Sequence, residues 1–99
     1  MNIKFQKSGT TLTAKPAGRM DTATSPEISR RMQHEMQGMT EIIIDLENVE
    51  YISSGGLRLM LELEQTIQDN GGSLTIIHVS EYIMEVLDLT GFTDMLNIQ

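Results

Sequence analysis

The residues best suited to chemistry lie in the stretch 45–61, where Ser53, Ser54, Gly55 and Gly56 separate a strand pattern from a helix pattern. Both serines are predicted at the N-terminus of that helix, where backbone N–H groups point outward and the helix dipole favours negative charge. A hydroxyl in this position can cap the helix, help to bind an anion or carry a phosphate. The residues alone leave these three roles open.

Composition excludes several classes of protein. A chain of 99 residues is expected to form a single domain over 1–99, and its net charge of −7 argues against a nucleic-acid partner. The absence of cysteine rules out disulfides and cysteine-based metal sites. With no leader pattern and no apolar run near ~18 residues, we expect a cytoplasmic protein without a membrane partner. His34 and His78 show no ligand spacing, so no metal or cofactor is expected.

Hydrophobic periodicity predicts alternating strands and helices. Ser8 and Gly9 are typical of a hairpin turn between the first two strands, and residues 16–21 are predicted as a loop. Asp21 or Ser25 is expected to cap the first helix, with Pro26 in its first turn. The predicted strands are 2–6, 11–15, 41–46 and 73–78, with 95–98 as either a further short edge strand or coil. The predicted helices are 25–38, 56–69 and 81–90, the last capped by Ser80.

This order predicts a small single-domain α/β fold: a mostly parallel or mixed sheet of four to five strands with about three helices packed against it. The continuous apolar run at 41–46 is typical of a parallel strand buried on both faces. Sites in such sheets gather at the carboxyl ends of the strands. If the second and third strands are parallel, the loop with Arg19 and Asp21 and the turn with Ser53 and Ser54 open on the same side.

The central pattern resembles the signature of STAS domains, specifically of the bacterial anti-sigma factor antagonists. The upstream run Gly18-Arg19-Met20-Asp21 is similar to the Gly-Arg-x-Asp loop of that family. The residues that carry the central resemblance are Asp45, Leu46, Val49, Tyr51, Ile52, Ser54, Gly56 and Leu57.

The resemblance implies a non-enzymatic, monomeric STAS domain that binds an anti-sigma factor, itself a serine-protein kinase with an ATP-binding fold. Phosphorylation of the antagonist by that kinase releases the complex, and a PP2C-type phosphatase restores binding. Aligning the motif on Gly56 and Leu57 places the phosphorylation site at Ser54. Ser53 and Gly55 depart from a common family form, which has aspartate before the acceptor and serine or threonine after it. The implied partner-binding residues are Arg19, Asp21, Ser53, Gly55, Gly56, Leu57 and Arg58.

Other functions fit the residues less well. A receiver-type phosphoacceptor at Asp45 would need an early acidic pair and a late lysine, but no lysine follows Lys15. A serine hydrolase would need a Gly-x-Ser-x-Gly elbow, which is absent. A STAS module that senses a small ligand, without serine phosphorylation, is the alternative that the sequence leaves open. For Arg19 and Asp21, the alternative to partner contact is a solvated loop and a helix cap.

Overall fold

The computed structural model describes residues 2–99, which form one mixed sheet with helices packed against it. No helix in this range is long and apolar enough to cross a membrane. The elements in chain order are β1 (Asn2–Ser8), β2 (Thr11–Met20), α1 (Ser25–Glu35), β3 (Glu41–Asp45), β4 (Asn48–Ile52), α2 (Ser54–Asp69), β5 (Ser73–Ile77), α3 (Glu81–Thr90) and a 3-10 helix (Phe92–Asp94).

Strand β2 organises the sheet because three other strands pair with it. β1 pairs antiparallel along one edge. On the other edge, β3 runs parallel to residues 11–14 and β4 runs parallel to residues 17–20. β5 lies parallel beyond β3, and Ile98 adds one parallel bridge to Ile76. The α/β fold with a mixed five-stranded sheet and three α-helices is therefore confirmed.

The predicted loop at 16–21 is wrong, because β2 continues to Met20 and the segment 48–52 is a strand beside it. Pro16 made the extension hard to foresee, since proline cannot donate to a β-ladder. Its position explains the exception. Lys15 and Pro16 fall in the interval where neither β3 nor β4 pairs with β2, so the missing N–H interrupts no ladder on that edge.

The core lies on one side of the sheet, between its apolar face and the helices. Ile42 and Ile44 of β3 are buried, whereas Ile43 between them is only half-buried, so the expected burial on both faces holds for one face only. The predicted first helix forms as α1, and Ile28, Met32 and Met36, spaced four residues apart in the sequence, are all buried. Met39 packs partly buried against the same core.

The helix ends show how local sequence sets the boundaries. Ser80 caps α3 as predicted, because its Oγ accepts a hydrogen bond from the Ile83 N–H at 3.2 Å. The expected caps of α1 are wrong: Thr24 occupies the N-cap position, and Ser25 and Pro26 are the first two helical residues. Asp21 instead closes the turn before the helix, where its backbone oxygen accepts the Ser25 N–H at 2.9 Å.

The chain steps sideways between β3 and β4, and Asp45 holds that step. Its Oδ1 accepts the Glu47 N–H at 2.9 Å, and its Oδ2 lies 3.0 Å from Nδ1 of His78, which follows β5. Burial raises the pKa of the Asp45 carboxyl, but the Glu47 N–H, the His78 ring and the nearby Lys15 outweigh burial and lower the pKa below its usual value. Asp45 is therefore ionised at neutral pH, and each of its carboxylate oxygens has a partner.

Two glycines allow α2 to approach the end of β2. A Cβ on Gly56 would lie 2.4 Å from the Met20 carbonyl oxygen, and a Cβ on Gly55 would lie 2.6 Å from Thr22 Oγ1. Neither position leaves room for any other residue type without movement of backbone. The pair therefore fixes α2 against the end of β2 and the loop that follows it.

We predict that Gly56→Ala lowers the free energy of unfolding by about 2–3 kcal/mol, the usual cost of forcing a methyl group into packed backbone. Urea denaturation at pH 7 measures the change. Ser54→Ala is the matched control, since it alters an exposed residue in the same helical turn. Equal stability of the two variants would show that the close approach to Met20 is not a constraint.

We predict that Asp45→Asn lowers the free energy of unfolding by about 1 kcal/mol at pH 7, through loss of a charged hydrogen-bond acceptor. Because the folded pKa of Asp45 is lowered, its contribution is present above the unfolded pKa of about 3.9 and is lost as pH falls through the folded pKa. The stability difference between wild type and variant should therefore shrink towards zero in acid. A difference that stays constant from pH 7 into that acid range would contradict this role of the charge.

Candidate functional site

The carboxyl ends of β2 and β4 bring the two sequence motifs together, as predicted for parallel strands. The Ser53 N–H donates to the Met20 carbonyl oxygen at 3.0 Å, directly joining the two segments. Arg19 pairs in register with Tyr51, and Met20 pairs with Ile52. The loop after β2 and the start of α2 therefore form one continuous surface.

The two serines occupy different environments. Ser53 is the N-cap residue of α2, and its Oγ is shielded from solvent with no hydrogen-bond partner in the described part of the chain. Ser54 is the first helical residue and is exposed. Only the Ser54 hydroxyl is therefore presented to an incoming reagent.

The N-terminus of α2 is uncapped by any side chain. The first hydrogen bond of this helix joins the Leu57 N–H to the Ser53 carbonyl oxygen at 3.0 Å. This contrasts with α3, where Ser80 supplies a cap. The sequence offers no capping box here, since Gly56 and Leu57, rather than Glu or Gln, lie three residues after Ser53 and Ser54. The first-turn N–H groups of α2 are therefore not engaged by a cap.

Arg19 and Asp21 are linked to each other and to the surrounding loop. The Arg19 guanidinium lies 4.0 Å from the Tyr51 ring centroid, and its Nε lies 3.3 Å from Asp21 Oδ2. Asp21 Oδ1 accepts the N–H groups of Ala23 and Thr24, each at 3.0 Å. The Thr24 N–H is the main cause of the lowered pKa of Asp21, to which Arg19 also contributes. Asp21 thus shapes the loop, while Arg19 stays largely exposed on top of it.

A cleft of about 380 Å³ lies between α1 and α2, beside the first turn of α2. Arg30 of α1 and Arg58 of α2 are both exposed and both line it. Glu62 lines it too, and the Ser29 hydroxyl donates to the Glu62 carboxylate at 2.9 Å. Sequence analysis missed Arg30, because a charge on a helix surface carries no signal until the neighbouring helix is placed. The cleft begins at Gly55, the residue after Ser54, and its charged lining is two arginines and one glutamate.

A second polar cluster lies at the ends of β3 and β5. Single ligand atoms from Asp45, Glu47 and His78 lie within 4.8 Å of one another. Lys15 engages Glu47 at 2.8 Å, which occupies part of this cluster with a positive charge. His78 adopts a positive φ of 55°, an unusual conformation for a residue other than glycine. Asp45 and His78 come together because Asp45 ends β3 and His78 directly follows β5, and the two strands are adjacent and parallel.

The other predicted site residues contribute differently. Gly55, Gly56 and Leu57 are buried, so their part in partner binding would be to position the surface; that part stays a prediction. Arg58 is exposed one helical turn after Ser54. The structure therefore assembles an outward-facing surface from Arg19, Ser54 and Arg58, supported by buried glycines.

Known proteins share this fold and this span of sequence. The anti-sigma-B factor antagonist of Staphylococcus aureus (strain NCTC 8325 / PS 47) is 29% identical over 99 residues, covering 99% of this chain and 92% of that protein. A putative anti-sigma factor antagonist from Thermotoga maritima superposes with a TM-score of 0.89 at 19% identity, covering 97% and 84% of the two chains. The Bacillus cell fate determinant SpoIIAA, solved in its phosphorylated form, superposes with a TM-score of 0.75 at 16% identity, covering 99% and 91%.

The family model described as the STAS domain matches residues 2–99, the whole of the described chain. That match spans the serine motif, the cleft and every element of the sheet. The chain belongs to the STAS domain family, to which the resemblance of its serine motif pointed.

Proposed function

We propose that this protein is an anti-sigma factor antagonist whose binding is switched by phosphorylation of Ser54. In the unphosphorylated form it binds an anti-sigma factor that is also a serine kinase, and thereby frees the target of that factor. The observation that carries the proposal is the exposed Ser54 hydroxyl at an uncapped helix N-terminus, within the family motif. The name of the Staphylococcus aureus relative and the phosphorylated form of SpoIIAA support it.

The chain supplies the nucleophile, and the partner supplies the catalytic machinery. Ser54 Oγ attacks the γ-phosphorus of ATP bound to the kinase, so that a new Oγ–P bond forms. The bond from that phosphorus to the bridging oxygen breaks, ADP leaves, and the hydroxyl proton passes to a base or water in the kinase site. Hydrolysis by a PP2C-type phosphatase then uses water to return the serine and inorganic phosphate. The antagonist itself is a regulator and not an enzyme.

Burial distinguishes the two candidate serines. A kinase must bring the acceptor oxygen into line with the phosphate, which requires a free hydroxyl. Ser53 Oγ is almost completely shielded from solvent, and the Ser53 backbone is hydrogen-bonded to Met20 and Leu57. Ser54 meets the requirement, so the serine that replaces the family's common aspartate is not expected to compete.

Phosphorylation would alter binding more than the fold. The phosphate adds about −1.5 to −2 charges at neutral pH. The positive end of the α2 dipole tolerates that charge within the free protein. A docked partner would have to bury it, with the exposed Glu50 adding negative charge nearby. Loss of 2–3 kcal/mol of binding energy corresponds to a roughly 30- to 150-fold weaker complex.

We predict that incubation with ATP and the cognate kinase places one phosphate on Ser54. Intact mass should rise by one phosphate in wild type and Ser53→Ala but not in Ser54→Ala, and peptide fragmentation should locate the group. Ser54→Ala should keep its affinity for the partner, and Ser54→Asp should weaken binding without unfolding. A phosphate on Ser53 would refute the site assignment. No phosphate on either serine, with a partner that binds, would favour the ligand-sensing alternative.

We also predict that Arg19→Ala weakens partner binding by about tenfold, the equivalent of 1.4 kcal/mol, measured by isothermal titration calorimetry. Arg19 is exposed and its ion pair with Asp21 contributes little to stability, so the melting temperature should change by no more than a few degrees. Lys7→Ala is the matched control, since it removes the same charge from an exposed pair with Glu35. Equal affinities of wild type and both variants would leave the Arg19 loop purely structural.

A further inference from the structure

We propose that the solvent side of α3 is a second docking surface, which binds a basic amphipathic helix of a partner protein. This surface, the α3 face, consists of residues 81, 82, 85, 86, 88 and 89. It includes neither Ser54 nor the loop with Arg19, so it is independent of the proposed function. An exposed apolar row and an adjoining row of unpaired carboxylates define its chemistry.

Three apolar side chains form a row along the outside of α3. Tyr82, Val86 and Leu89 are spaced by four and then three residues, which places them on one stripe of a helix. The side chains of Ile83 and Leu87 are buried and hold the helix to the core. In the outer row Val86 is only partly buried, Tyr82 is 47% exposed and Leu89 is 80% exposed. The row is therefore additional to the stripe that the fold itself uses.

Exposed large apolar side chains are confined to this end of the chain. Among residues 2–99 they are Tyr82, Leu89 and Met95. Met95 is 50% exposed and follows the 3-10 helix that contacts α3. Single exposed apolar residues are ordinary on a protein surface, but a row of them marks an interaction site.

A row of carboxylates runs beside the apolar row. Glu81, Glu85 and Asp88 repeat the same spacing one residue earlier, and all three are exposed. Glu85 lies three residues after Tyr82 and four before Leu89, so it adjoins both on the helix surface. Within the described chain, none of these three carboxylates accepts a hydrogen bond or makes an ion pair. They are available to cations of a partner.

The charge of the whole chain is divided unevenly. All seven Lys and Arg residues lie within 1–58, where seven acidic residues balance them. Residues 59–99 contain the other seven Asp and Glu residues and no Lys or Arg, so this part carries the entire net charge of −7. The α3 face therefore belongs to the part of the chain whose charge attracts positive groups.

These properties favour one kind of occupant. A twofold pairing of two α3 faces would set their carboxylate rows against each other. Helices that lie on membranes carry Lys and Arg on their polar side, whereas carboxylates are repelled by anionic lipids. A partner helix with an apolar row flanked by Lys or Arg matches both rows at once. The ten residues of α3 span about 15 Å, which is long enough to pair with two to three turns of such a helix.

The test titrates the full ¹⁵N-labelled chain with a synthetic peptide of Leu and Lys whose leucines form one helical face. NMR shift changes should be largest at residues 81–89. Leu89→Gln should weaken binding by about tenfold, because this side chain would no longer be buried as an apolar group against the peptide. A second peptide, with serine in place of leucine, keeps the charge and should also bind about tenfold more weakly.

A matched pair of double variants separates the α3 face from general electrostatics. Glu85→Gln with Asp88→Asn should weaken binding of the Leu–Lys peptide by about fivefold at low salt, whereas Glu41→Gln with Asp69→Asn, which removes two exposed charges elsewhere, should weaken it by about twofold or less. Equal weakening by the two pairs would overturn the proposal, as would unchanged binding by a folded Leu89→Gln variant.

Other occupants would also overturn it. Dimerisation of the free protein that Leu89→Gln abolishes would assign the α3 face to a second copy of the chain. Binding to phosphatidylcholine vesicles that the same variant abolishes would assign the face to a membrane. Because the test involves neither Ser54 nor a kinase, these outcomes leave the proposed phosphorylation switch unaffected.

Discussion

The close approach of α2 to the end of β2 is the constraint on which the site depends. Gly55 and Gly56 lack the Cβ atoms that would strike Thr22 and the Met20 carbonyl, so the helix begins directly against the strand end. That contact sets the direction of α2, and with it the outward position of Ser54 and Arg58. Packing at two glycines thus determines which polar groups reach the surface.

The sheet holds the end of β2 and the start of α2 in place, because β3 and β4 both pair with β2. β3 and β4 occupy successive parts of the same edge, and the chain must step between them at Asp45. The ionised aspartate satisfies the Glu47 N–H and meets His78 across the neighbouring strand, so the step is held from both β3 and β5. Because β4 leads directly into Ser53, the position of that step also determines where α2 begins.

Sequence reasoning recovered the elements whose patterns are local. The stripe Ile28, Met32, Met36, the Ser80 cap and the hairpin before Thr11 each follow from spacing within a few residues. It missed the length of β2, because the tolerance for Pro16 depends on where two other strands happen to pair. It also could not place Arg30 or the buried Ser53 hydroxyl, since both depend on the packing of α1 and α2. Alignment of the sequence motif selects Ser54 as the candidate serine, and its exposure becomes visible only in the fold.

The buried hydroxyl of Ser53 has a consequence for substrate recognition. In an unfolded chain or a short peptide the adjacent serines would be chemically almost equivalent, and an enzyme would have to tell them apart from flanking residues. The folded protein removes one of them from reach before any enzyme arrives. If Ser54 is the acceptor as proposed, discrimination between the two serines belongs to the folded substrate, and a denatured chain would lose it.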